Sequence, residues 1–341
     1  MAAPARNAPV QMADIARLAG VSVSTVSRAL SDSLLVNAET RARVAELARS
    51  LNYSINIGAQ NLRLKHNNTV AVIVPYEADT RQHLSDPFFL SLIGSLADAL
   101  TERGHDMLLT RVDAGRLDQA AQVFHTGRAM GIVLVGQWHH HDQLNQMAVR
   151  GVPFVVWGAQ LPQQLYATVG GDNLAGGRLA TAHLLAQGAR RIVFLGDPEL
   201  PEAALRLQGY LQAHAEAGLK PDPRLQRPVP FVPERVVPEL DALQRQQIGF
   251  DAVFAVSDLL AMAAISALRQ QGRGVPEDVL VAGYDDITLA EHFIPALTTV
   301  SQPISEAGRM LVELLLAQLA GERLASRLLT TALVVRKSSQ R

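Results

Sequence analysis

The stretch Ala13 to Leu30, ADIARLAGVSVSTVSRAL, contains two short amphipathic segments separated by a glycine. In the first segment Ile15 and Leu18, three residues apart, with Ala16 and Ala19 beside them, predict the apolar face of a short helix. Gly20 is expected to end this helix, and Ser22 offers a hydroxyl that can cap a second one. Two short helices joined by a tight glycine turn predict a helix-turn-helix.

The second helix is expected to have one apolar and one polar face. The apolar residues, which point at the first helix, are Val26, Ala29 and Leu30. The outward residues are Val23, Ser24, Ser27 and Arg28. A surface of serines and an arginine fits DNA contact, and taken alone it fits an ordinary solvated surface as well.

The segment that follows, VNAETRARVAELARSLNYSINIGAQNLR from Val36 to Arg63, extends this pattern. The two segments together resemble the DNA-binding end of the LacI/GalR family of bacterial transcription regulators, and the resemblance runs on through nearly the whole chain. It implies base contacts in the major groove for Val23, Ser24 and Arg28, and phosphate contacts for Thr25 and Ser27. Because one helix-turn-helix reads only a half-site, we expect a homodimer on a pseudo-palindromic operator in double-stranded DNA.

We divide the chain into a helix-turn-helix DNA-binding domain at residues 10–55, a hinge helix or linker at 56–66, and an effector-binding and dimerisation domain at 67–341. In the head, Asn37 can cap a third helix. The hinge is rich in weak helix formers, so we do not expect it to hold an isolated helix in water.

The resemblance implies that the hinge folds on the operator and inserts Leu62 into the minor groove, with Ala59 one turn before it. The alternative is a plain linker in which Leu62 is a docking residue. One departure from the family concerns Ile55, which stands where relatives usually carry proline. The hinge is therefore expected to be looser where it begins.

Charge is unevenly divided along the chain. The whole sequence has a formal net charge of −1, whereas residues 1–66 hold eight lysines and arginines against four acidic residues, a net charge of +4. The remainder is acidic, with a net charge of −5. A basic head on an acidic body suits a protein whose head alone binds phosphates.

The composition predicts a large globular protein without a cofactor. With 341 residues and 48% hydrophobic content, the chain can form a small domain and a larger, bilobed one. The absence of cysteine excludes disulfides, thiolate metal sites and cysteine nucleophiles. Neither a G-x-G-x-x-G following a strand nor a G-x-x-x-x-G-K-[ST] occurs. The N-terminal MAAPARNAPV lacks a signal-peptide core and no apolar run is long enough to span a membrane, so we expect a cytoplasmic location.

From Thr69 onward, short apolar runs alternate with amphipathic helices. The runs are TVAVIVP, DMLLTRV, GIVLVG, PFVVWG, RIVFLG, AVFAVS and VLVAGYD. Such runs are typical of parallel strands buried on both faces and predict a doubly wound α/β body. The resemblance implies two lobes with a ligand cleft between them, as in periplasmic sugar-binding proteins. Lobe 1 is expected at about residues 69–168 and 298–327, and lobe 2 at about 169–297 and 328–341.

Ligands of doubly wound sheets bind outside the carboxyl ends of the strands, so the residues that follow each strand are candidates for the site. On this ground we select Tyr76, Asp86, Phe89 and Trp157. Resemblance to the family's cleft positions adds Glu202, Arg206, Phe231, Ser257 and Asp285.

Guanidinium and carboxylate groups bind adjacent hydroxyls, and aromatic rings cover the C–H face of a sugar. We therefore expect a small sugar effector, with Arg206 and Asp285 on either side of the cleft. The same two residues also fit a structural ion pair across the lobes. Relatives that bind purines use some of these positions, so a purine or nucleoside effector is the alternative. His139 to His141 follow a strand and point in different directions, which fits a solvated loop better than a metal site.

Together these features predict a repressor of carbohydrate-utilisation genes whose operator affinity is controlled allosterically by a sugar. We expect no enzymatic activity, because no nucleophile and base can be assembled from the sequence. The alternative from another class is a sugar receptor or sugar-acting enzyme with the same body. An exported receptor of this kind would need a signal peptide.

Overall fold

The computed structural model describes residues 11–30, 33, 35–51, 53, 67–77 and 83–340. The chain divides into two compact units, Met1–Asn67 and Asn68–Arg341. The predicted hinge at residues 56–66, with Ala59 and Leu62, lies outside the described residues, as does Ile55. Within the described part of the chain, no helix is long and apolar enough to cross a bilayer.

The described residues of the first unit form three helices, α1 (Met12–Ala19), α2 (Val23–Leu30) and α3 (Ala38–Ser50). Its small core joins all three helices, since Ile15, Val26 and Val44 have no exposed surface. The predicted inward face of α2 is confirmed, because Val26 and Ala29 are buried and Leu30 packs against the same cluster. Burial of apolar surface at the meeting of three helices is what sets their arrangement.

Capping groups mark the ends of these helices as predicted. Gly20 ends α1 in the left-handed region, with φ at 65°, which a residue with a side chain adopts only at a cost. The Ser22 hydroxyl accepts from the Thr25 backbone N–H at 3.1 Å, and the Asn37 side chain accepts from the Thr40 N–H at 2.7 Å. The prediction for Leu18 is wrong. This side chain is 57% exposed, because the buried face of α1 is formed by its neighbours Ile15, Ala16 and Ala19.

Where the structure describes it, the second unit has two six-stranded sheets. The strands of the first sheet are β1 (Thr69–Tyr76), β2 (Asp106–Asp113), β3 (Gly131–Val135), β4 (Phe154–Trp157), β5 (Ala167–Gly171) and β11 (Arg327–Leu329). Those of the second are β6 (Ile192–Leu195), β7 (Gln226–Arg227), β8 (Ala252–Ala255), β9 (Leu280–Asp285), β10 (Thr298–Ser301) and β12 (Ala332–Val334). The spatial orders are β11-β5-β4-β3-β1-β2 and β12-β10-β9-β8-β6-β7. We call each sheet with its helices lobe 1 and lobe 2.

All the strand pairs are parallel except β10 with β12. The helices of this unit are α4 (Pro87–Glu102), α5 (Ala121–His125), α6 (His141–Val149), α7 (Asn173–Ala186), α8 (Pro201–Glu216), α9 (Val236–Arg245), α10 (Asp258–Gln270), α11 (Thr288–His292) and α12 (Ile304–Leu319).

Strand β1 shows why the sheets are covered on both faces. Val70, Val72 and Val74 belong to a core with residues of α4 and α12, whereas Ala71 and Ile73 belong to a second core with residues of α5 and α6. Successive side chains of a strand point to opposite faces, so an unbroken apolar run needs a helical layer on each side. The predicted doubly wound α/β body is confirmed.

The seven predicted apolar runs all form strands, and the described residues add five others, β5, β7, β10, β11 and β12. The predicted changes of lobe, near residues 168, 298 and 327, come a few residues too early. Gly170 and Gly171 still pair with Leu328 and Leu329 in the first sheet, and Thr298 to Ser301 pair with β9 in the second. Each strand completes its hydrogen-bonded register before the chain leaves the sheet, so the connections lie between β5 and α7, between β10 and α12, and between β11 and β12.

A buried carboxyl group joins three elements of lobe 2. Asp258, at the start of α10, accepts from the Thr299 hydroxyl at 2.5 Å and from the Ile287 backbone N–H at 2.9 Å. Burial raises the pKa of Asp258 to about 7, although these hydrogen bonds and the nearby Arg336 favour the charged form. The folded protein therefore binds a proton here at a higher pH than the unfolded chain does.

We expect the stability contributed by Asp258 to rise as the pH falls from about 8 to 6, because the raised pKa makes the folded state take up its proton first. Asp258→Asn removes this titration. Urea unfolding at pH 8 and pH 6 should show a smaller gain on acidification in Asp258→Asn than in the parent, whereas Asp106→Asn, at an exposed carboxyl, should keep the parent's gain. Equal gains in the parent and Asp258→Asn would contradict a raised pKa.

Candidate effector cleft and DNA-reading helix

A cleft opens between the two lobes at the carboxyl ends of their strands. The space between its lining residues is about 680 Å³, counting the open solvent at its mouth. Of the nine predicted effector residues, those that line the cleft are Asp86, Phe89, Trp157, Glu202, Arg206, Phe231, Ser257 and Asp285. The sequence therefore selected groups that the fold brings together, and their role in binding stays a prediction.

Tyr76 is not among the lining residues. The Arg111 guanidinium carbon lies over the Tyr76 ring, 4.9 Å from the ring centroid. The residue itself is 37% exposed. Arg111 on β2 pairs in register with Val74, which precedes Tyr76 by two residues on β1. The ring is thus held by the neighbouring strand rather than turned into the cleft.

Arg206 is buried on α8, with 4% of its surface exposed. Its Nε donates to the Asn173 side-chain oxygen at 2.8 Å, and its Nη1 donates to the Val256 carbonyl. The guanidinium also lies over the Tyr284 ring, 3.6 Å from the centroid. Three contacts from three different elements hold this charge in one orientation at the cleft, which is the preorganisation that a fixed binding group requires.

Asp285 ends β9 with φ at 112°, a backbone conformation that is rare for a residue with a side chain. Its Oδ1 accepts from Gln302 Nε2 at 2.8 Å. Burial raises the pKa of this carboxyl well above its ordinary value, and the nearby Arg206 opposes the shift. Among the described residues, no ion pair within 4.0 Å joins Asp285 to Arg206.

The expected placement of Arg206 and Asp285 on either side of the cleft is wrong. Both belong to lobe 2, since α8 follows β6 and Asp285 closes β9 of the same sheet. They therefore cannot form an ion pair across the lobes. Instead they present a donor and an acceptor side by side on one wall, an arrangement that suits neighbouring hydroxyls of one ring.

Two further carboxyl groups enter the cleft. Asp86 caps α4 by accepting from the Phe88 backbone N–H at 2.9 Å, and burial raises its pKa. Burial also raises the pKa of Glu202, against the opposing effects of nearby backbone N–H groups and of Arg206. Glu202 of lobe 2 lines the cleft together with Asp86 and Trp157 of lobe 1.

Sequence reasoning missed several lining residues, above all Phe88, Gln137 and Trp138. Phe88 lies 6.0 Å from Trp157 between ring centroids, at an interplanar angle of 45°. Trp138 has φ at 50°. Gln137 and Trp138 follow β3, so the rule that selected Trp157 at the end of β4 could have found them.

Ser257 and the three histidines have local roles. The Ser257 hydroxyl accepts from the Leu260 N–H at 3.3 Å and caps α10. His141 Nδ1 lies 2.8 Å from the Tyr166 hydroxyl, whereas His139 Nδ1 lies 3.2 Å from the Glu199 carbonyl oxygen. His139 and His141 thus have separate partners, and the described residues contain no group of three side chains arranged to hold a metal ion.

In the first unit, α2 presents the face that was expected to contact DNA. Val23, Ser24 and Arg28 are exposed, and Thr25 and Ser27 are half-buried. The Ser22 hydroxyl lies 2.8 Å from those of both Ser24 and Thr25. The hydroxyls at the start of α2 are therefore clustered, and Arg28 stands alone near its end.

A helix-turn-helix unit followed by a two-lobed α/β unit with a cleft defines the class of transcription regulators whose body has the fold of a periplasmic binding protein. Residues 11–56 match the family described as bacterial regulatory proteins, lacI family, and residues 181–339 match the periplasmic binding protein-like domain. The chain belongs to the LacI family of bacterial regulatory proteins, and it is a transcription regulator rather than an enzyme.

Relatives match over the full length. The HTH-type transcriptional regulator CelR of Thermobifida fusca is 36% identical over 330 residues, which cover 95% of this chain and 96% of that protein. The HTH-type transcriptional repressor CytR of Escherichia coli K12 is 32% identical over 347 residues, covering 100% and 99%.

Among solved structures, a complex of the transcriptional regulator CelR with cellobiose has a TM-score of 0.73 at 34% identity and covers 96% of this chain and 99% of its own. A lac repressor dimer bound to operator and the anti-inducer ONPF has a TM-score of 0.84 at 24% identity, covering 98% and 100%, and supports the fold alone. The predicted family and fold are confirmed.

Asn173→Ala is expected to destabilise the body by about 1–3 kcal/mol, because it removes a buried partner of Arg206. The same side chain donates to the Gly171 carbonyl at 3.1 Å, so the substitution also leaves this oxygen without that donor. Urea unfolding followed by circular dichroism measures the loss. Gln212→Ala, at an exposed position of α8, should change stability by no more than about 0.5 kcal/mol. An equally small effect for Asn173→Ala would show that the Arg206 cluster tolerates the missing partner.

Proposed function

We propose that the protein is an operator-binding repressor of carbohydrate-utilisation genes whose DNA affinity is set by a sugar bound between its lobes. The observation that carries this proposal is the wall of the cleft, where Arg206 is fixed by three contacts and Asp285 is held by Gln302. Rings of Phe88, Phe89, Trp157 and Phe231 line the same space. Paired polar groups beside aromatic faces suit a polyhydroxylated ring.

In the proposed complex with DNA, two copies of the chain bind the two half-sites of a pseudo-palindrome. Val23, Ser24 and Arg28 contact bases, and Thr25 and Ser27 contact phosphates. In the hinge, Leu62 enters the minor groove with Ala59 beside it. The exposure of Arg28 and the clustered hydroxyls at the start of α2 support these assignments.

Arg28→Ala should weaken binding to the specific site far more than binding to random DNA, because a base contact carries sequence information and a phosphate contact does not. The expected loss of specific affinity is about 5- to 150-fold. Fluorescence anisotropy at fixed salt, with a duplex selected from a random pool by the parent protein, measures both affinities. Arg49→Ala, which removes an exposed charge from α3, controls for the loss of one positive charge from the DNA-binding unit. Equal losses on both duplexes for Arg28→Ala would rule out base reading.

For the effector, the relative whose structure contains cellobiose supports a sugar. A ligand changes operator affinity only if it binds the two forms of the protein unequally. The contact of His139 Nδ1, in lobe 1, with the Glu199 carbonyl oxygen of lobe 2, at 3.2 Å, supports such a difference, since it joins the lobes beside the ligand site. Closure of the lobes on a sugar then sets how the hinge segments of a dimer meet.

Calorimetric titration of a panel of mono- and disaccharides, with purine nucleosides included, tests the effector. At least one sugar should bind the parent, and Arg206→Ala and Asp285→Asn should each weaken its binding about 10- to 100-fold, because the first removes a charged donor and the second replaces a carboxylate acceptor by a neutral amide. Arg178→Ala, at a more exposed arginine of α7, should bind as the parent does. Operator DNA must change sugar affinity by the factor by which the sugar changes operator affinity. Nucleoside binding without sugar binding, or an affinity that operator leaves unchanged, would contradict the proposal.

A further inference from the structure

The turn after β3 brings His139 of lobe 1 to the edge of lobe 2. Trp138, with φ at 50°, lies in the left-handed region, which costs free energy for a bulky residue and persists where the surroundings impose it. The Trp138 side chain packs against the core of lobe 2. The adjacent His139 therefore lies where the lobes meet, and its Nδ1 is 3.2 Å from the Glu199 carbonyl oxygen.

The Glu199 carbonyl belongs to a hydrogen-bonded turn that follows β6 in lobe 2. The Asp197 carboxylate accepts from the Glu199 backbone N–H at 3.0 Å, and the Leu200 N–H donates to the Asp197 carbonyl at 3.1 Å. Helix α8 begins directly after this turn, at Pro201. Because the turn is held on both sides, its carbonyl is a fixed acceptor at the edge of lobe 2.

The second ring nitrogen of His139 faces a carboxylate of its own lobe. Nε2 lies 3.9 Å from Glu77 Oε1. A carbonyl oxygen only accepts, so Nδ1 carries the proton that bonds Glu199 in both charge states of the ring. In the neutral ring Nε2 then presents a lone pair to the Glu77 carboxylate, whereas in the imidazolium it presents an N–H and a positive charge. The arrangement of acceptors therefore suits the charged ring better than the neutral one.

The ionisable groups that surround the ring are acidic on both lobes. They are Glu77 after β1 and, in the turn after β6, Asp197 and Glu199. The third segment beside the ring, Pro230 to Val232, has no ionisable side chain. On its own turn, the His140 ring lies edge-on to His139, with 6.4 Å between the centroids.

The two sets of acidic groups differ in what they do when the lobes separate. Glu77 belongs to the same lobe as His139, so it attracts the charged ring whether the cleft is open or closed. With 32% of the His139 side chain and 28% of the Glu77 side chain exposed, water screens this attraction only in part. The turn of lobe 2, with its carbonyl and its carboxylates, is near the ring only when the cleft is closed.

We propose that His139 is a proton-dependent latch, which holds the two lobes together more strongly when its ring is charged. Opening the cleft breaks the contact with Glu199 and takes the ring away from the acidic turn. The closed form therefore binds the proton more tightly than the open form does, and the proton favours closure by the same factor. Histidines change charge between about pH 5 and 8, so closure increases as the pH falls through this range.

The inference rests on the proposed function in one respect, that closure of the lobes sets operator affinity. The latch itself needs neither sugar nor DNA, since all its groups belong to the two lobes. Its test therefore measures closure first and operator binding second.

Energy transfer between two dyes measures closure in the full-length protein without sugar or DNA. The chain has no cysteine, so Gln146→Cys on α6 of lobe 1 and Gln244→Cys on α9 of lobe 2, both at exposed positions, accept a pair of pH-insensitive dyes. Lowering the pH from about 8 to about 5.5 should raise the ratio of closed to open protein about three- to tenfold, because a charged donor bonds a carbonyl more strongly than a neutral one.

His139→Asn separates the charge from the hydrogen bond. The amide can donate to the Glu199 carbonyl from about the position of Nδ1 but stays neutral, so closure at pH 8 should match the parent's and the response to acid should be lost. The buried carboxyls of the cleft titrate in both proteins, so the latch is the difference between them. Glu77→Gln lowers the proton affinity of the ring and should move the midpoint of the response to lower pH.

His140→Ala is the matched control, because it removes the neighbouring imidazole and leaves the contact with lobe 2. It should keep the parent's response to acid. Circular dichroism melting at each pH checks that every variant is folded. An identical acid response in the parent and His139→Asn, or loss of the response in His140→Ala, overturns the latch.

Operator affinity, measured for the parent and His139→Asn at both pH values, distinguishes the latch from the proposed function. A closure response that differs between the two proteins, together with an operator affinity that differs in the same pH-dependent way, supports both. A difference in closure with no difference in the pH dependence of operator affinity leaves the latch intact and contradicts the proposed control of DNA binding by closure.

Discussion

The close approach of α7 and α8 is the constraint on which the cleft depends. A Cβ on Gly177 would lie 2.2 Å from the backbone oxygen of Arg206, and one on Gly209 would lie 2.2 Å from a backbone oxygen of α7. A Cβ on Gly176 would meet the Tyr284 hydroxyl at 2.3 Å. Because these glycines lack side chains, the two helices touch backbone to backbone. This contact places the Arg206 guanidinium over the Tyr284 ring and within hydrogen-bond distance of Asn173 on α7 and of the Val256 carbonyl after β8.

The electrostatics of the cleft follow from that placement. One buried guanidinium shares the space with Asp86, Glu202 and Asp285, and burial raises the pKa of all three carboxyls. Loss of water disfavours the charged carboxylates, so a ligand that donates hydroxyl groups restores hydrogen bonds that solvent had provided. Ionisation of these groups and binding of a hydroxyl-rich ligand therefore favour one another.

Much of the fold was predictable because its signals are local. Apolar spacing found α1 and α2, caps at Ser22 and Asn37 found helix starts, and continuous apolar runs found the buried strands. The strands β7, β11 and β12 were missed because two or three residues hold no periodic pattern, and their pairing depends on partners far away in sequence.

The cleft was predictable only in part, for a related reason. The position of a residue after a strand can be recognised in sequence, and this found Asp86 and Trp157. The same rule failed for Tyr76, whose ring is held by Arg111 on the adjacent strand. That Arg206 and Asp285 lie on one wall depends on the packing of α8 against α7, which itself contacts β9, and no spacing within either segment reveals this.

The edge strands have a mechanical consequence. In lobe 1 the edge pair is β11 and β5, and in lobe 2 it is β12 and β10. All three chain connections between the lobes leave from these pairs of strands. The two lobes are therefore covalently connected along one side only. Their softest relative motion is a rotation about that side. A group that bridges the lobes far from the three connections acts on a longer lever arm than a group close to them. A contact at the distant rim of the cleft therefore exerts a greater torque on the angle between the lobes than the same contact beside the connections.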